Sequence, residues 1–237
     1  MKAMLYADWC TFVRSIKTYI FVMAVIVLAP TIAGIASGDS IAETAQSIQL
    51  GSAITVPALL ALLSVISVFT IDEAGDWASV RLMMPLTRRT VVEGRYAFVA
   101  LVVLATEAIG VAFGLFAGLV LGLVCGMGTS LVSLPELMLA AFVGMCVTLV
   151  IIAVEMPVAF RSGVEKMRLV FLIPFVISAM VAVPPVRDAL QAVGNAILAV
   201  YTTLGPALSL ALLGAAAAGI YLVSMRVSVA FYEAREG

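Results

Sequence analysis

Histidine does not occur in this 237-residue chain. That excludes haem ligation through imidazole, HExxH zinc proteases and Ser–His dyads of intramembrane proteases. Charge is scarce as well: 11% of residues are Asp, Glu, Lys or Arg, where about 25% is usual in soluble domains. Cysteine is limited to Cys10, Cys125 and Cys146, an odd number with no CxxC pair. They read as small apolar residues in or near a membrane, not as a disulfide or metal framework. No GxxxxGK[ST] occurs, so the chain has no P-loop with which to hold ATP phosphates. Alternating apolar segments of about ten residues, the mark of a membrane β-barrel, are missing too.

What remains is long apolar runs. The chain is 64% hydrophobic with a mean hydropathy of +1.20. A run of about 18 or more apolar residues crosses the hydrocarbon core as a helix, since about 20 residues at 1.5 Å each span it. Six such runs stand out, at about 19–37, 51–70, 97–124, 135–158, 166–184 and 204–227. The expected fold is an all-α integral membrane protein with six transmembrane helices in a single domain, 1–237. The third run is longer than a bilayer needs, so it tilts, bends or protrudes. The short acidic segment 38–50 and the segment 125–134 read as outer loops. GLVLGLVCGMG at 118–128 reads as close helix packing.

The thirteen basic residues are distributed with a strong bias. Lys2, Arg14 and Lys17 precede the first run, and Arg81, Arg88, Arg89 and Arg95 lie between the second and third. Arg161, Lys166 and Arg168 flank the join of the fourth and fifth, with Arg226 and Arg235 at the C-terminal end. Arg187 alone falls on the other side. The positive-inside rule makes the rich side cytoplasmic and places both termini there. An even number of spans requires that the termini share a side, so count and charge agree. The expected location is the plasma (inner) membrane.

Residues 1–18 place Leu5, Trp9, Phe12 and Ile16 on one helical face, with Lys2, Arg14 and Lys17 towards the other. That pattern predicts a helix lying in the cytoplasmic interface. With so polar a start and five more spans after the first, the N-terminus is not read as a signal peptide. Residues 185–202 carry apolar positions at helical spacing, interrupted by Arg187, Asp188, Gln191 and Asn195. They are expected to form a short outer helical segment between spans five and six.

Two carboxylates fall inside apolar runs. Glu107 lies about ten residues into the third span, roughly 15 Å deep. Glu155 lies near the inner end of the fourth, beside Pro157. Groups of this kind face protein or water because lipid penalises their charge. Glu107 therefore lines a transport path or is protonated or hydrogen-bonded between helices. Glu155 is expected to pair with Arg161 or Arg81 at the interface.

Charge is concentrated in IDEAGDWASVRLMMPLTRRTVVEGRYAF, residues 71–98. Asp72 and Glu73 are expected to follow the second span as N-terminal acids of a short helix. Trp77, Val80, Met83 and Met84 give that helix an apolar face, and Pro85 ends or bends it. Thr87-Arg88-Arg89-Thr90 then opens the next helix, which runs through Arg95 and Tyr96 into span three. Such an element either presses on a cytoplasmic partner or contacts anionic lipid.

The order Asp72, Glu73, Trp77, Pro85, Arg88, Arg95, Tyr96 resembles ABC-2 type transporter permeases, especially the small six-span subunits that pair with a separate ATPase. PVAFRSGVEKMRLVFLI at 157–173 is similar to the same family's passage into span five, through Pro157, Arg161, Gly163, Glu165, Lys166 and Arg168. The resemblance implies an exporter half. Two permease chains, alike or different, would form the pathway, with two ATPase subunits beneath. The segment 72–90 would be the coupling helix held by the ATPase, with Trp77 as anchor and Arg81, Arg88 and Arg89 steering. ATP and Mg²⁺ would sit on that partner. The chain itself would bind no cofactor or metal, catalyse nothing and contact no nucleic acid. The apolar lining points to a hydrophobic or amphipathic cargo such as a peptide, toxin or lipid-like molecule. Other classes stay open at this level: a secondary transporter or channel, a membrane assembly or immunity protein, and a membrane enzyme.

Overall fold

The computed structural model describes residues 41–74, 87–124, 132–170, 172, 192 and 201–234. The expected interfacial helix 1–18, the first run at 19–37 and nearly all of the outer segment 185–202 lie outside the described residues, as do 173–184 of the fifth run. Among the described residues, all regular structure is α-helical. The long helices are α1 (Ile41–Ala74), α2 (Arg88–Val124), α3 (Leu134–Ser162) and α4 (Pro206–Ala234). All four contain stretches long and apolar enough to cross a membrane, at Ile48–Thr70, Arg89–Val120, Leu134–Ser162 and Pro206–Ala234. They overlie the runs expected at 51–70, 97–124, 135–158 and 204–227. The chain divides into two compact units, 1–149 and 150–237, with the division inside α3.

In the first unit, α1 and α2 pack along each other. At 34 and 37 residues they measure about 51 and 55 Å at helical rise, against a hydrocarbon core of about 30 Å. Part of the extra length of α1 replaces the loop expected at 38–50, because residues 41–50 are helical. No glycine or proline interrupts Ile41–Leu50, and Ala45, Ile48 and Gln49 are buried. The acidic residue there, Glu43, marked the segment as polar without breaking its helix.

α1 and α2 approach closely at three glycines one turn apart, Gly110, Gly114 and Gly118. A Cβ on Gly110 would lie 2.7 Å from Cδ of Pro57, and one on Gly114 would lie 3.2 Å from the Gln49 carbonyl oxygen. A Cβ on Gly118 would collide with the Gln49 side-chain amide. These partners, 57, 53 and 49, descend one face of α1 as the glycines ascend α2, so the helices run antiparallel. Lipid tails are as apolar as leucine, so such a pair is held by close packing and polar contacts more than by exclusion of water. At the far end of the interface the fillers are large: Phe69 lies under the Arg95 guanidinium, with the charge 5.2 Å from the ring centroid.

Gln49 also ties down the chain beyond α2. Its Oε1 accepts a hydrogen bond from the Val132 amide at 3.0 Å, and the side chain is 1% exposed. Immediately afterwards Glu136 Oε2 accepts from the Ser133 amide at 3.2 Å. That is half of a capping box, and it starts α3.

In the second unit α3 ends at Gly163, whose φ of 81° lies in the left-handed region that a side chain disfavours. The Gly163 amide donates to the Ala159 carbonyl, and its own carbonyl accepts from Met167. One residue thus closes α3 and opens a further helical stretch, 164–170. Gly205, with φ 80°, makes the same joint ahead of α4.

Gly110→Ala is expected to cost about 1–3 kcal/mol, because the rigid Pro57 ring cannot yield and overpacking displaces the helices. Gly51→Ala, where a new Cβ meets nothing within 4 Å, should be neutral or gain up to about 1 kcal/mol. Unfolding of the two variants in detergent measures the contrast.

Candidate functional site: the charged helix ends

The charged residues singled out in the sequence gather at two corners, one in each unit. The first is formed by the facing ends of α1 and α2. Asp72 and Glu73 do not start a new helix; they lie in the last turn of α1, which runs on to Ala74. No helix breaker intervenes before Gly75, so helical propensity carries α1 through both acids. Their position is unfavourable for the helix dipole, and no basic residue offsets it in that turn. Trp77, Arg81 and Pro85 lie outside the described residues.

At the far side of this corner the expected helix start is present in atomic detail. Thr87 Oγ1 accepts from the Thr90 amide at 3.3 Å and meets Thr90 Oγ1 at 2.7 Å. This is an N-cap bond to the third helical residue. Arg88 and Arg89 occupy the first turn of α2. The Arg89 side chain is exposed and pairs with Glu93 at 2.7 Å, four residues on. A surface pair of this kind contributes only about 0.3–0.5 kcal/mol, so it orients Arg89 more than it stabilises the helix. Arg95, two turns from the start of α2, is 2% exposed and Tyr96 is 1% exposed. The sequence places Arg95 in the helix that leads into span three; its burial against Phe69, on the same face as 91, 98 and 102, was not read from it.

The second corner is built on Gly163. Val164 and Met167 are buried, at 3% and 0% exposure, and hold the stretch 164–170 against its unit. That leaves Glu165, Lys166 and Arg168 exposed, with Arg161 exposed at the end of α3. Arg161 lies over the Phe231 ring of α4 at 5.1 Å, while Phe160 packs edge-on against Tyr232 at 5.7 Å. A charged surface is therefore carried on a stiff, aromatic-backed turn.

Of the intramembrane carboxylates, Glu155 differs from expectation. Glu155 is fully buried, and neither carboxylate oxygen has a hydrogen-bond partner among the described residues. It is not paired with Arg161, which stacks on Phe231 instead; Arg81 lies outside the described residues. Glu107 sits roughly 28 Å along α2 from Arg88 at helical rise, because α2 starts before the apolar run does. It is half-buried, and its Oε1 is buried without a hydrogen-bond partner among the described residues.

One contact near Glu155 was not read from the sequence. Pro157 lies inside α3 and cannot donate to the carbonyl four residues back, that of Ala153. Ser224 of α4 donates its hydroxyl to that carbonyl, with Oγ to oxygen 2.5 Å. A neighbouring hydroxyl supplying what a proline withholds is the usual way such a break is tolerated in lipid. The available signal was Pro157 itself, which demands a donor near Ala153 without saying which.

Helices of membrane length with exposed charged turns at their ends define a multi-pass membrane protein. A comparison with models of known families identifies the particular family: residues 10–233 match the ABC-2 family transporter protein. The chain belongs to that family. It is accordingly a membrane permease component of an ABC transporter, and the family implies association with an ABC ATPase. No curated protein and no solved structure matches the chain.

Pro157→Ala and Ser224→Ala form a double-mutant cycle. Ser224→Ala should cost about 1–3 kcal/mol in the parent, where it orphans the Ala153 carbonyl. In the Pro157→Ala background the new amide supplies the bond, so the same change should cost much less. Additive losses would show that the hydroxyl does not serve the proline break.

Proposed function

We propose that the chain is the membrane-spanning half of an ABC exporter driven by ATP hydrolysed on a separate ATPase subunit. It crosses the plasma (inner) membrane six times, with both termini in the cytoplasm. Two permease chains, identical or different, enclose the pathway. The cargo is hydrophobic or amphipathic: a peptide, a toxin or a lipid-like molecule. ATP and Mg²⁺ bind to the ATPase.

The observation that carries this proposal is the family match combined with the second corner. Arg161, Glu165, Lys166 and Arg168 are exposed on a short stretch whose apolar side is locked by Val164 and Met167. Force is transmitted by elements that are short, stiff and joined directly to the helices they move. The first corner completes the grip through the coupling segment 72–90. Trp77 anchors it in the ATPase, with Asp72, Glu73, Arg81, Pro85, Arg88 and Arg89 around it. Basic residues at both corners favour an acidic docking surface and fast, salt-sensitive association.

Purification in mild detergent should bring a P-loop ATPase along in stoichiometric amount, read by mass spectrometry. Recovery of the chain with no such subunit would reject the proposal. Reversing charge at Arg161, Lys166 and Arg168 to Glu should leave membrane insertion unchanged and reduce ATPase recovery at least about tenfold, equivalent to about 1.4 kcal/mol. Trp77→Ala should likewise spare insertion while abolishing stimulation of ATP hydrolysis by cargo; unchanged stimulation would reject the anchoring role.

A further inference from the structure

Arg226 is the only basic residue in α4, and it lies inside that helix's membrane-length stretch. Its side chain is exposed, yet among the described residues it makes no hydrogen bond, ion pair or ring contact. The buried residues of α4, Ala217, Tyr221, Ser224 and Ser228, lie on the far side of the helix at about 3.6 residues per turn. The face that carries Arg226 also carries the exposed side chains of Leu212, Leu222 and Val223. A cation on such an apolar stripe is costly in lipid unless it reaches an anion or water.

Contacts between α3 and α4 fix how deep Arg226 lies. Ser224 meets Ala153, Phe231 lies under Arg161, and Tyr232 packs on Phe160. Residue numbers rise together in the two helices, so they run parallel. Arg161 leads into the exposed charged stretch with Lys166 and Arg168, which marks the headgroup level. From Phe231, level with Arg161, back to Arg226 is about 7.5 Å towards the bilayer centre at helical rise. An arginine turned along its helix covers such a distance with its stem in hydrocarbon and its head among the headgroups. One turn on, the small exposed Ala230 leaves that route open, and Glu233 beyond it has an interaction elsewhere.

We propose that Arg226 binds the phosphate of an anionic phospholipid in the leaflet around the C-terminal end of α4. The guanidinium fork pairs two phosphate oxygens, and an acyl chain lies along Val223, Leu222 and Leu212. An anionic headgroup is favoured over a zwitterionic one because no ammonium competes for the phosphate. A second copy of the chain fits this face less well. Two-fold pairing about an axis normal to the membrane would bring like positions together and set Arg226 against a like charge. Lipid binding here requires neither cargo nor nucleotide, so it is tested apart from ATPase docking.

Native mass spectrometry of the full chain tests it, with release from mixed micelles holding equal amounts of phosphatidylglycerol and phosphatidylcholine. The wild type should retain phosphatidylglycerol in preference. Arg226→Gln should reduce that preference at least several-fold, Lys166→Gln should keep most of it, and excess inorganic phosphate should not displace the lipid. Because Arg226 is exposed, Arg226→Gln should unfold at the wild-type temperature in phosphatidylcholine micelles. Added phosphatidylglycerol should raise that temperature in the wild type and not in the variant. A wild type without the preference, or a preference undiminished in Arg226→Gln, would overturn the site. So would an equal fall in Lys166→Gln, displacement by inorganic phosphate, or the loss of a second chain instead of lipid in Arg226→Gln.

Discussion

Inside a bilayer no water is present to satisfy a backbone carbonyl, so each one must find its donor within the protein. Pro57 in α1 and Pro157 in α3 both violate this from within membrane-length helices. The carbonyls they leave without a helical donor belong to Ala53 and Ala153, and a neighbouring helix comes to each. At Ala153 the visitor is the Ser224 hydroxyl. Beside Ala53 lies Gly110 of α2, close enough that an added Cβ would stand 3.4 Å from the carbonyl oxygen, a close backbone approach and not a hydrogen bond. At Pro157, then, the proline break is matched by a donor from a neighbouring helix.

From those contacts the rest of each unit follows. Gly110, Gly114 and Gly118 let α2 lie against α1 along the stretch marked by Pro57, Ala53 and Gln49. Gln49 then fixes Val132 and the entry to α3. Towards the opposite end the glycines give way to Phe69, Arg95 and Tyr96, which are bulky and buried.

Membrane class, helical content and the runs now occupied by α1 to α4 were legible because they rest on apolar length and a scarcity of charge. The Thr87 cap and the continuation through Arg95 into α2 were legible because capping chemistry is local. Residues 41–50, part of the expected loop 38–50, misled for a reason of the same kind: a polar stretch without glycine or proline can remain helical. Asp72 and Glu73 misled because acids are favoured at helix starts, yet nothing before Gly75 stops α1. What the sequence could not disclose was pairwise: that Gln49 would meet Val132, that Ser224 would meet Ala153, that Phe69 would lie beneath Arg95. The reading of 118–128 as close helix packing reached Gly118 but not Gly110 or Gly114, and it named no partner. Glu155 near Arg161 suggested an ion pair by proximity in sequence, but the Phe231 ring takes the guanidinium.

The central proposal is that both charged corners rest on an ATPase. Its most direct measurement is site-specific photocrosslinking, in intact cells, from positions 89 and 166, one exposed residue at each corner. The account predicts that both positions form adducts with the same nucleotide-binding subunit from the cytoplasmic side. Adducts with lipid alone, or reaction with an impermeant reagent added outside the cell, would contradict it.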